Sequence, residues 1–374
     1  MVKFSFFKTA EKEKFLVLDI GTEAVKDLVF KKEGGKIVVL EESSEYFDEF
    51  SLWDSRNFKE DVIKKAILKT LQNLTLKDLP LILSLPANVF KSRISFQSFS
   101  RKNQKDVIVE KEERLIQEDV IKEARKRIRD IFYLETGILS KDLEFLELKI
   151  LETKIDGYEV PGLKGYGGQT LEFRILANFI LKSHLETFNK IISSLNLKVF
   201  KIVHPSQALT GLFQTPNAIF FDIGGEVTQF FIVKNGKLEV IDNFKVGGQD
   251  FSQEFSERLG LDQVRARKLK KDYSQGLLSE EVRQRIKEIL SSAAQNWLKE
   301  LKLKVTAKKI LFPFDIFLFG GGSLIPEIQE VLEQSFSESH QIRYLYPKDL
   351  KGIKVSLKIL TSPKDVPILL LCYL

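Results

Sequence analysis

The chain has 374 residues, a formal net charge of +6 and 43% hydrophobic residues. This length suits two lobes better than one simple core, and the hydrophobic content excludes a globally disordered chain. The single cysteine, Cys372, excludes an internal disulfide framework, and three scattered histidines offer no metal-ligand spacing. No apolar run reaches the roughly 18 residues that span a bilayer, no secretory signal starts the chain, and no basic stretch is interleaved with aromatics. We therefore expect a cytoplasmic protein that does not bind nucleic acid.

The first segment reads as a small sheet that contains one special turn. An apolar run ends in Asp-Ile-Gly-Thr at 19–22, and a Gly-Gly pair at 34–35 marks a hairpin. Apolar residues at helical spacing then precede a short buried strand that Pro86 stops. The predicted order is strand (15–20), strand (25–30), strand (37–40), helix (59–74) and strand (81–85).

Residues 86–181 have a different character. A strand at 90–96 leads to a long charged helix at 111–132, and strands near 146–154 and 171–180 follow, with a Gly-rich stretch between them. Strand, helix, strand, strand predicts a small α+β unit. Because the unit has no phosphate-type turn of its own, we expect it to be a contact module.

The second half repeats the opening pattern. An apolar run at 218–222 ends in Asp-Ile-Gly-Gly, a strand at 228–233 follows, and an Asn-Gly turn closes a second hairpin. Helices are predicted over 249–301. A last buried strand at 316–319 ends in Gly-Gly-Gly-Ser and leads to a helix at 325–336. The repeated strand, turn and hairpin indicate an internal duplication.

These three turns predict a nucleotide cleft. Glycines let backbone amides approach phosphate oxygens closely. A carboxylate such as Asp19 or Asp222 would repel phosphate, so its natural partner is Mg²⁺, usually through water. The Gly-Gly-Gly-Ser turn would let a base and sugar lie on the backbone beside a helix N-terminus.

The order of these three motifs resembles the two phosphate motifs and the adenosine motif of the actin, sugar-kinase and heat-shock-chaperone ATPases. Within that superfamily, residues 214–272 and the small insert are most similar to the bacterial FtsA family and its relative PilM. The resemblance implies an α/β, actin-like, two-lobed fold of duplicated ribonuclease-H-like halves with a small α+β insert domain. The expected boundaries are 1–85 and 182–214 for the first lobe, 86–181 for the insert, 215–350 for the second lobe with a helical subdomain at 248–311, and 351–374 for a return to the first lobe.

The resemblance also implies Mg-ATP between the lobes, with the metal at Asp19 and Asp222 and with His204 and Asp222 as candidate catalytic residues. The implied nucleotide contacts are Asp19, Gly21, Thr22, Lys26, Asp222, Gly224, Gly225, Thr228, Gly247, Gly248, Arg267, Lys270, Gly320, Gly321, Gly322 and Ser323.

Several positions depart from the family pattern. Glu226 places a carboxylate near the expected phosphates, which is unfavourable unless it turns outward or meets the metal. His204 stands where a Glu or Gln often orients the attacking water; a neutral imidazole could hold water through one nitrogen, or His204 simply starts a helix. Arg267 replaces a ribose-holding Glu, and the basic run at 265–271 is either a solvated helix face or a ligand site. We therefore expect ATP to be bound much better than it is hydrolysed.

Two classes of function remain open. One is an actin-like scaffold that polymerises as a filament or dimer and links a division protein such as the tubulin-like FtsZ to the inner face of the membrane; a PilM-like variant would bind the tail of a pilus protein instead. The usual C-terminal amphipathic helix is not seen after 366–374, and the aromatic-basic start at 2–8 is a candidate replacement. The other class is a small-molecule kinase, against which the insert and its likeness to FtsA argue.

Overall fold

The computed structural model of the chain describes residues 14–49, 58–76, 78–102, 104–209, 216–308, 315–336, 341–355 and 360–373. The candidate membrane-contacting start at 2–8 lies outside these residues. The chain divides into two compact units, a larger one of Met1–Asn88, Lys190–Leu238 and Asn243–Leu374 and a smaller one of Val89–Asn189 and Glu239–Asp242.

The secondary structure alternates between strands and helices along the described chain. The strands are β1 (Lys14–Ile20), β2 (Ala24–Glu33), β3 (Lys36–Tyr46), β4 (Leu81–Ser84), β5 (Phe90–Ser100), β6 (Leu143–Ile155), β7 (Tyr158–Val160), β8 (Thr170–Leu181), β9 (Val199–Ile202), β10 (Asn217–Ile223), β11 (Thr228–Lys234), β12 (Lys237–Phe244), β13 (Asp315–Phe319), β14 (Ile342–Tyr344) and β15 (Ile353–Val355). The helices are α1 (Glu60–Gln72), α2 (Glu110–Thr136), α3 (Lys182–Ser194), α4 (Ser206–Leu209), α5 (Gly248–Leu259), α6 (Gln263–Ser274), α7 (Glu280–Ala307), α8 (Pro326–Phe336) and α9 (Val366–Leu370).

The larger unit contains two sheets with matching centres. Their strand orders are β15-β3-β2-β1-β4-β9 and β12-β11-β10-β13-β14. In the first, β1 pairs antiparallel with β2 and parallel with β4; in the second, β10 pairs antiparallel with β11 and parallel with β13. Both predicted hairpin turns have the positive φ angles of a type I′ turn, at Gly34 and Gly35 and at Asn235 and Gly236. The internal duplication predicted from the sequence is confirmed.

Apolar side chains explain why the central strands are buried. In β10 and β11, the phenylalanines Phe220, Phe221, Phe230 and Phe231 are fully buried. The long helix α7 packs Trp297 edge-on against Phe221, with ring centroids 5.8 Å apart. The Trp297 Nε1–H donates to the Thr228 hydroxyl oxygen at 2.9 Å, so this buried indole has a partner close to the second special turn.

The smaller unit is one four-stranded antiparallel sheet, in the order β5-β8-β6-β7, with α2 across one face. Buried residues of α2, such as Val120 and Ala124, pack against the Phe173 side of β8. The structure adds the short strand β7 inside the predicted Gly-rich stretch, after a turn at Asp156 and Gly157 that has positive φ at both residues. This three-residue strand was not predicted, because it is too short to show a period of two.

The last part of the chain returns to the first sheet. Strand β15 pairs in parallel with β3, and α9 packs against β2. Strands β9, β14 and β15 were not predicted from the sequence. Each has only three or four residues at or near a sheet edge, where partial exposure removes the apolar signature.

Candidate functional site

Two turns of matching geometry follow β1 and β10. The Gly21 amide donates to the Ala24 carbonyl at 2.9 Å, and the Gly224 amide donates to the Val227 carbonyl at 3.0 Å. A Cβ atom on either glycine would lie 3.0 Å from that same carbonyl oxygen, which is tighter than ordinary contact. Both turns therefore favour glycine for the same steric reason.

The two turns touch each other. The Glu226 amide donates to the Thr22 hydroxyl at 3.0 Å, and the Gln249 side-chain amide donates to the Thr22 carbonyl at 3.0 Å. A Cβ atom on Gly225 would come within 2.8 Å of the Thr22 hydroxyl oxygen. Glycine at 225 thus allows the two turns to approach, and the Gln249 amide holds the first turn in place.

Helix α5 supports the second turn from behind. The amides of Gly248 and Gln249 donate to the carbonyls of Gly224 and Gly225 at 2.8 and 2.7 Å. A Cβ atom on Gly247 would lie 2.5 Å from the Gly225 oxygen. These helix amides are already used within the protein, so the glycines at 247 and 248 set the position of the turn.

The turns open on a cleft of about 650 Å³, within the range of small-molecule sites. Of the residues expected to contact a nucleotide or to act in catalysis, twelve line this cleft: Asp19, Gly21, Thr22, Lys26, His204, Asp222, Gly224, Gly225, Arg267, Lys270, Gly320 and Gly321. Five do not line it: Thr228, Gly247, Gly248, Gly322 and Ser323.

These five residues lie behind the lining. The Thr228 hydroxyl donates to the Val246 carbonyl at 2.7 Å, and the Ser323 hydroxyl donates to the Gly320 carbonyl at 2.8 Å. A Cβ atom on Gly322 would clash with the Ile223 side chain at 2.6 Å. Their hydrogen bonds and close approaches hold the turns together, so direct contact with a ligand does not follow from the structure.

The triple-glycine turn meets the second phosphate-type turn directly. Gly320 has a φ of 87°, and a Cβ atom there would lie 2.4 Å from Asp222 Oδ1. A side chain at this position would therefore be strained by the backbone and would also displace the carboxylate. The glycine keeps Asp222 free to face the cleft.

Asp19 and Asp222 give the cleft two carboxylates at equivalent strand ends. Burial raises the pKa of Asp19, against the opposing effects of Lys26 and Ser84. Burial and then the charge of Asp19 raise the pKa of Asp222 to about 7, with Lys26 opposing. A cation between these two carboxylates would offset the repulsion that Asp19 exerts on Asp222.

The donor set fits a hard divalent cation that keeps most of its water. Among the described residues, no group of three or more His, Cys, Asp or Glu side chains could hold a metal by itself. Mg²⁺ is commonly held by one or two carboxylates while waters and substrate phosphates complete its octahedron. Asp19 and Asp222 would hold such an ion, and it would neutralise phosphate charge in the cleft.

His204 is buried and has defined partners on both ring nitrogens. The Ser206 backbone amide donates to Nδ1 at 3.2 Å, and the Ser206 hydroxyl lies 2.8 Å from the same nitrogen. The Gln229 side-chain amide lies 3.3 Å from Nε2. Because a backbone N–H can only donate, Nδ1 is an acceptor, and a neutral imidazole carries its hydrogen on Nε2. The nitrogen that was expected to hold water is therefore occupied by Ser206.

Glu226 turns away from the cleft. Its carboxylate accepts a hydrogen bond from the Asn88 amide at 2.9 Å, and Glu226 is not among the lining residues. Burial raises the pKa of Glu226 to about 7; the Asn88 hydrogen bond opposes this shift, the charge of Asp250 adds to it, and Lys245 opposes it. The remaining oxygens, Glu226 Oε1 and Asn88 Oδ1, are buried and have no hydrogen-bond partner in the described part of the chain, so a single proton on Glu226 would supply the missing donor.

Glu23 is one of the polar cleft-lining residues that sequence reasoning missed. Its carboxylate lies 3.1 Å from Arg267 Nε and 3.4 Å from Lys270 Nζ, and all three side chains are mostly buried. Arg267 also donates to the Phe47 carbonyl at 2.8 Å and lies over the Tyr46 ring. The signal was present in the sequence, because a cation at 267 in place of the family carboxylate needs an acidic partner across the cleft.

Two of the lysines that line the cleft, Lys26 and Lys270, are also anchored. Lys26 donates to the Lys364 carbonyl, and Lys270 donates to the Gly248 carbonyl at 2.6 Å. Burial lowers the pKa of Lys270, while Glu23 opposes that shift. Both ammonium groups are thus held at the cleft by backbone oxygens.

Comparisons with known proteins support the fold expected from the sequence. Residues 219–361 match the family model of the cell division protein FtsA. The solved structure of a PilM–PilN type IV pilus biogenesis complex matches with a TM-score of 0.69 at 14% identity, over 96% of this chain and 97% of that one. The chain has an actin-like fold of the FtsA and PilM type.

A second structure supports the same fold. The ethanolamine utilization protein EutJ from Carboxydothermus hydrogenoformans matches with a TM-score of 0.51 at 13% identity, over 96% of this chain and 89% of that one. Comparison with curated protein sequences gave no significant match. The predicted resemblance to the FtsA and PilM group and the predicted fold class are confirmed. No helix among the described residues is long and apolar enough to cross a membrane.

Proposed function

We propose that this actin-like protein binds Mg-ATP in the 650 Å³ cleft and acts as an ATP-dependent scaffold, with slow or absent hydrolysis. The observation that carries the proposal is the pair of matched turns, which place Asp19 and Asp222 at equivalent strand ends facing one cleft. Thr22 and Gly225 line the same space, and backbone amides in such turns suit phosphate oxygens.

Different side chains are suited to the metal ion and to the nucleotide. Asp19 and Asp222 would hold the waters of Mg²⁺, and Lys26 adds a positive charge beside them. Arg267 and Lys270 line the cleft through an ion pair with Glu23, near the place where the family holds the ribose. Each of these groups acts on the bound ground state, so together they favour binding more than turnover.

Slow hydrolysis is supported by the state of His204. In-line attack needs an oriented water, and orientation can contribute several orders of magnitude in rate. The acceptor nitrogen of His204 is occupied by Ser206, so this imidazole does not offer the acceptor that a Glu or Gln would. Repulsion from Glu226, which the sequence suggested as a further cause, has no support because Glu226 faces Asn88.

A scaffold role like that of FtsA is the function we favour. The FtsA family match covers residues 219–361, most of which lie in the expected second lobe (215–350), where the resemblance implies contact with an FtsZ-like division protein. Self-association into a filament or dimer, and peripheral attachment to the membrane, are part of the same proposal. The PilM–PilN match over nearly the whole chain favours one alternative, in which the partner is the cytoplasmic tail of a pilus assembly protein.

Thermal unfolding with millimolar ATP, with and without Mg²⁺, tests the nucleotide site. A ligand present at a hundred times its Kd adds about 2.7 kcal/mol to the free energy of unfolding, which is readily measured as a shift in Tm. We expect a magnesium-dependent shift. If the melting temperature of the wild-type protein does not move, the proposal fails.

Sedimentation separates the two partner choices. The purified protein is pelleted with and without Mg-ATP, then with FtsZ filaments, and its binding to a synthetic pilus-protein tail is measured in parallel. Co-sedimentation with FtsZ favours the division role, and tight binding of the tail favours the pilus role. Failure to self-associate or to bind either partner argues against a scaffold.

A further inference from the structure

We propose that Gln229, held by His204, directs its side-chain NH₂ group at the terminal phosphate of the nucleotide and thereby distinguishes the triphosphate from the diphosphate. This inference rests on the proposed function. Neither residue is expected to touch the base or ribose, so the effect should be confined to the phosphate end of the cleft.

The orientation of the Gln229 amide follows from His204. Since the Ser206 backbone amide donates to Nδ1, the neutral ring carries its hydrogen on Nε2. The Gln229 side-chain nitrogen lies 3.3 Å from Nε2, but two N–H groups cannot bond to each other, so we infer that the amide is turned with its oxygen toward the ring to accept that hydrogen. A half-turn about the Cγ–Cδ bond exchanges amide oxygen and nitrogen. The NH₂ group therefore points away from His204.

The position of Gln229 directs that NH₂ group toward the cleft. Gln229 is the cross-strand partner of Asp222, so the two side chains share one face of the sheet, and both residues line the cleft. Apart from His204, the Gln229 side chain has no hydrogen-bond partner among the described residues. Gln229 as a whole is only 3% exposed, and an NH₂ group there without a protein acceptor would find one in a phosphate oxygen.

The internal duplication gives independent support. In the first half, the cross-strand partner of Asp19 is Lys26, which is the structural equivalent of Gln229 and also lines the cleft. Both halves thus place a hydrogen-bond donor opposite the metal-binding aspartate. Each donor is held by a neighbouring group of the protein, the Lys364 carbonyl in one half and His204 in the other.

Because Gln229 would present a donor and not an acceptor, Gln229 and His204 would bind a triphosphate without activating water. A donor aimed into the cleft stabilises anionic oxygen, whereas a water about to attack needs an acceptor for its proton. His204 acts only through Gln229, so it is a positioning residue. Gln229→Glu keeps the shape of the side chain but replaces the donor with a negative charge.

The test compares Mg-ATP and Mg-ADP affinity by competition against a fluorescent ADP analogue. Hydrogen bonds to charged groups are worth about 1.5–3 kcal/mol, so Gln229→Glu should weaken Mg-ATP by about ten- to a hundred-fold and Mg-ADP by less than about three-fold. Gln284→Glu, on the exposed face of α7, is the matched control and should change neither. Gln229→Asn, a shorter amide, replaces Gln229→Glu if the latter does not fold, and should show a smaller loss in the same direction.

His204 is tested by the same ratio. His204→Leu removes the donor that holds the amide and should reduce the ATP-to-ADP preference, whereas His204→Gln keeps a donor and should restore it. Equal loss of ATP and ADP affinity in the Gln229 variants, or no loss, overturns this inference while leaving the nucleotide site intact. If the wild-type protein binds neither nucleotide, the proposed function fails and this inference falls with it.

Discussion

The two special turns have the same backbone and different surroundings. In each, a glycine amide bonds to the carbonyl three residues later, at 2.9 Å in the first turn and 3.0 Å in the second. In each, the aspartate at the strand end faces the seventh residue after it across the hairpin. The side chains that contact the glutamate of each turn differ: the direct partners are charged in the first turn, and the direct partner is neutral in the second.

The two glutamates show this divergence most clearly. Glu23 and Glu226 occupy the same position in their turns. Glu23 lies between Arg267 and Lys270, whereas Glu226 accepts from the neutral Asn88 and has a pKa raised to about 7. The duplicated backbone therefore places the two glutamates at equivalent positions. Their partners, which come from elsewhere in the fold, determine the charge state and role of each.

The largest effect should come from replacing either of the two aspartates, Asp19 or Asp222. Asp19→Asn and Asp222→Asn should each abolish the magnesium-dependent protection by ATP, which is about 2.7 kcal/mol at a hundred times Kd. Neither should destabilise the protein alone, because the two carboxylates repel each other. Thermal unfolding with ATP and with or without Mg²⁺ measures both. Asp119→Asn on the exposed side of α2 is the control, and protection that survives in either cleft variant would show that the turns do not share one metal.

Exchanging the two glutamates for glutamine should separate their roles. Glu23→Gln removes the carboxylate that lies nearest to two mostly buried cations, so we expect a loss of about 2 kcal/mol in the free energy of unfolding. Glu226→Gln keeps a partner for Asn88 and should cost much less. Urea unfolding at pH 8 provides the comparison. Equal losses in the two variants would mean that the ion pairs do not distinguish the turns.

The pH dependence of stability sharpens the same comparison. Because the pKa of Glu226 is raised from 4.5 to about 7, its folded state holds a proton that the unfolded state releases. Its contribution to stability is therefore complete below pH 4.5 and is lost as the pH rises through about 7. After allowance for solvent screening, we expect Glu226→Gln to remove about 1 kcal/mol of this decline.

Only the difference between the stability-versus-pH curves of the wild type and of Glu226→Gln reports on Glu226. Burial also raises the pKa of Asp27 and Asp222 to about 7, so both shape the wild-type curve in the same direction. Asn88 and Lys245 favour the charged form of Glu226, and Asp250 opposes it. If wild type and Glu226→Gln lose stability in parallel between pH 5 and pH 8, the carboxyl is charged in the folded protein.

Sequence reasoning located the turns because their signal is local. An apolar strand, an Asp-Ile-Gly turn and a type I′ hairpin are contiguous, and the repeat made them recognisable twice. What it could not supply were partners brought together by folding, such as Glu23 with Arg267, which are 244 positions apart, and Glu226 with Asn88. Short edge strands such as β14 were missed because three residues carry no periodicity.

The predicted glycine contacts show the same limit. The sequence places Gly247 and Gly248 beside a helix start, which favours a phosphate site. Only the structure shows that the α5 amides already bind the carbonyls of the second turn. A glycine needed for close approach of backbone to backbone has the same sequence signature as one needed for close approach of backbone to ligand.

The smallest expected effect is a change in the rate of phosphate release when His204 is replaced. It tests whether the second turn lacks an acceptor for the attacking water. Under saturating Mg-ATP we expect phosphate release near background in the wild-type protein. His204→Glu removes the Nε2–H that holds Gln229 and introduces a carboxylate that can accept a proton from water, so release should rise measurably. The increase should remain modest, because the NH₂ group of Gln229 is no longer fixed and ground-state binding weakens with it.

His204→Gln is the matched variant, since it adds an acceptor without a charge. Brisk wild-type hydrolysis that His204→Ala abolishes would contradict this expectation and would mean that the buried imidazole, despite its bond from Ser206, acts directly on the water.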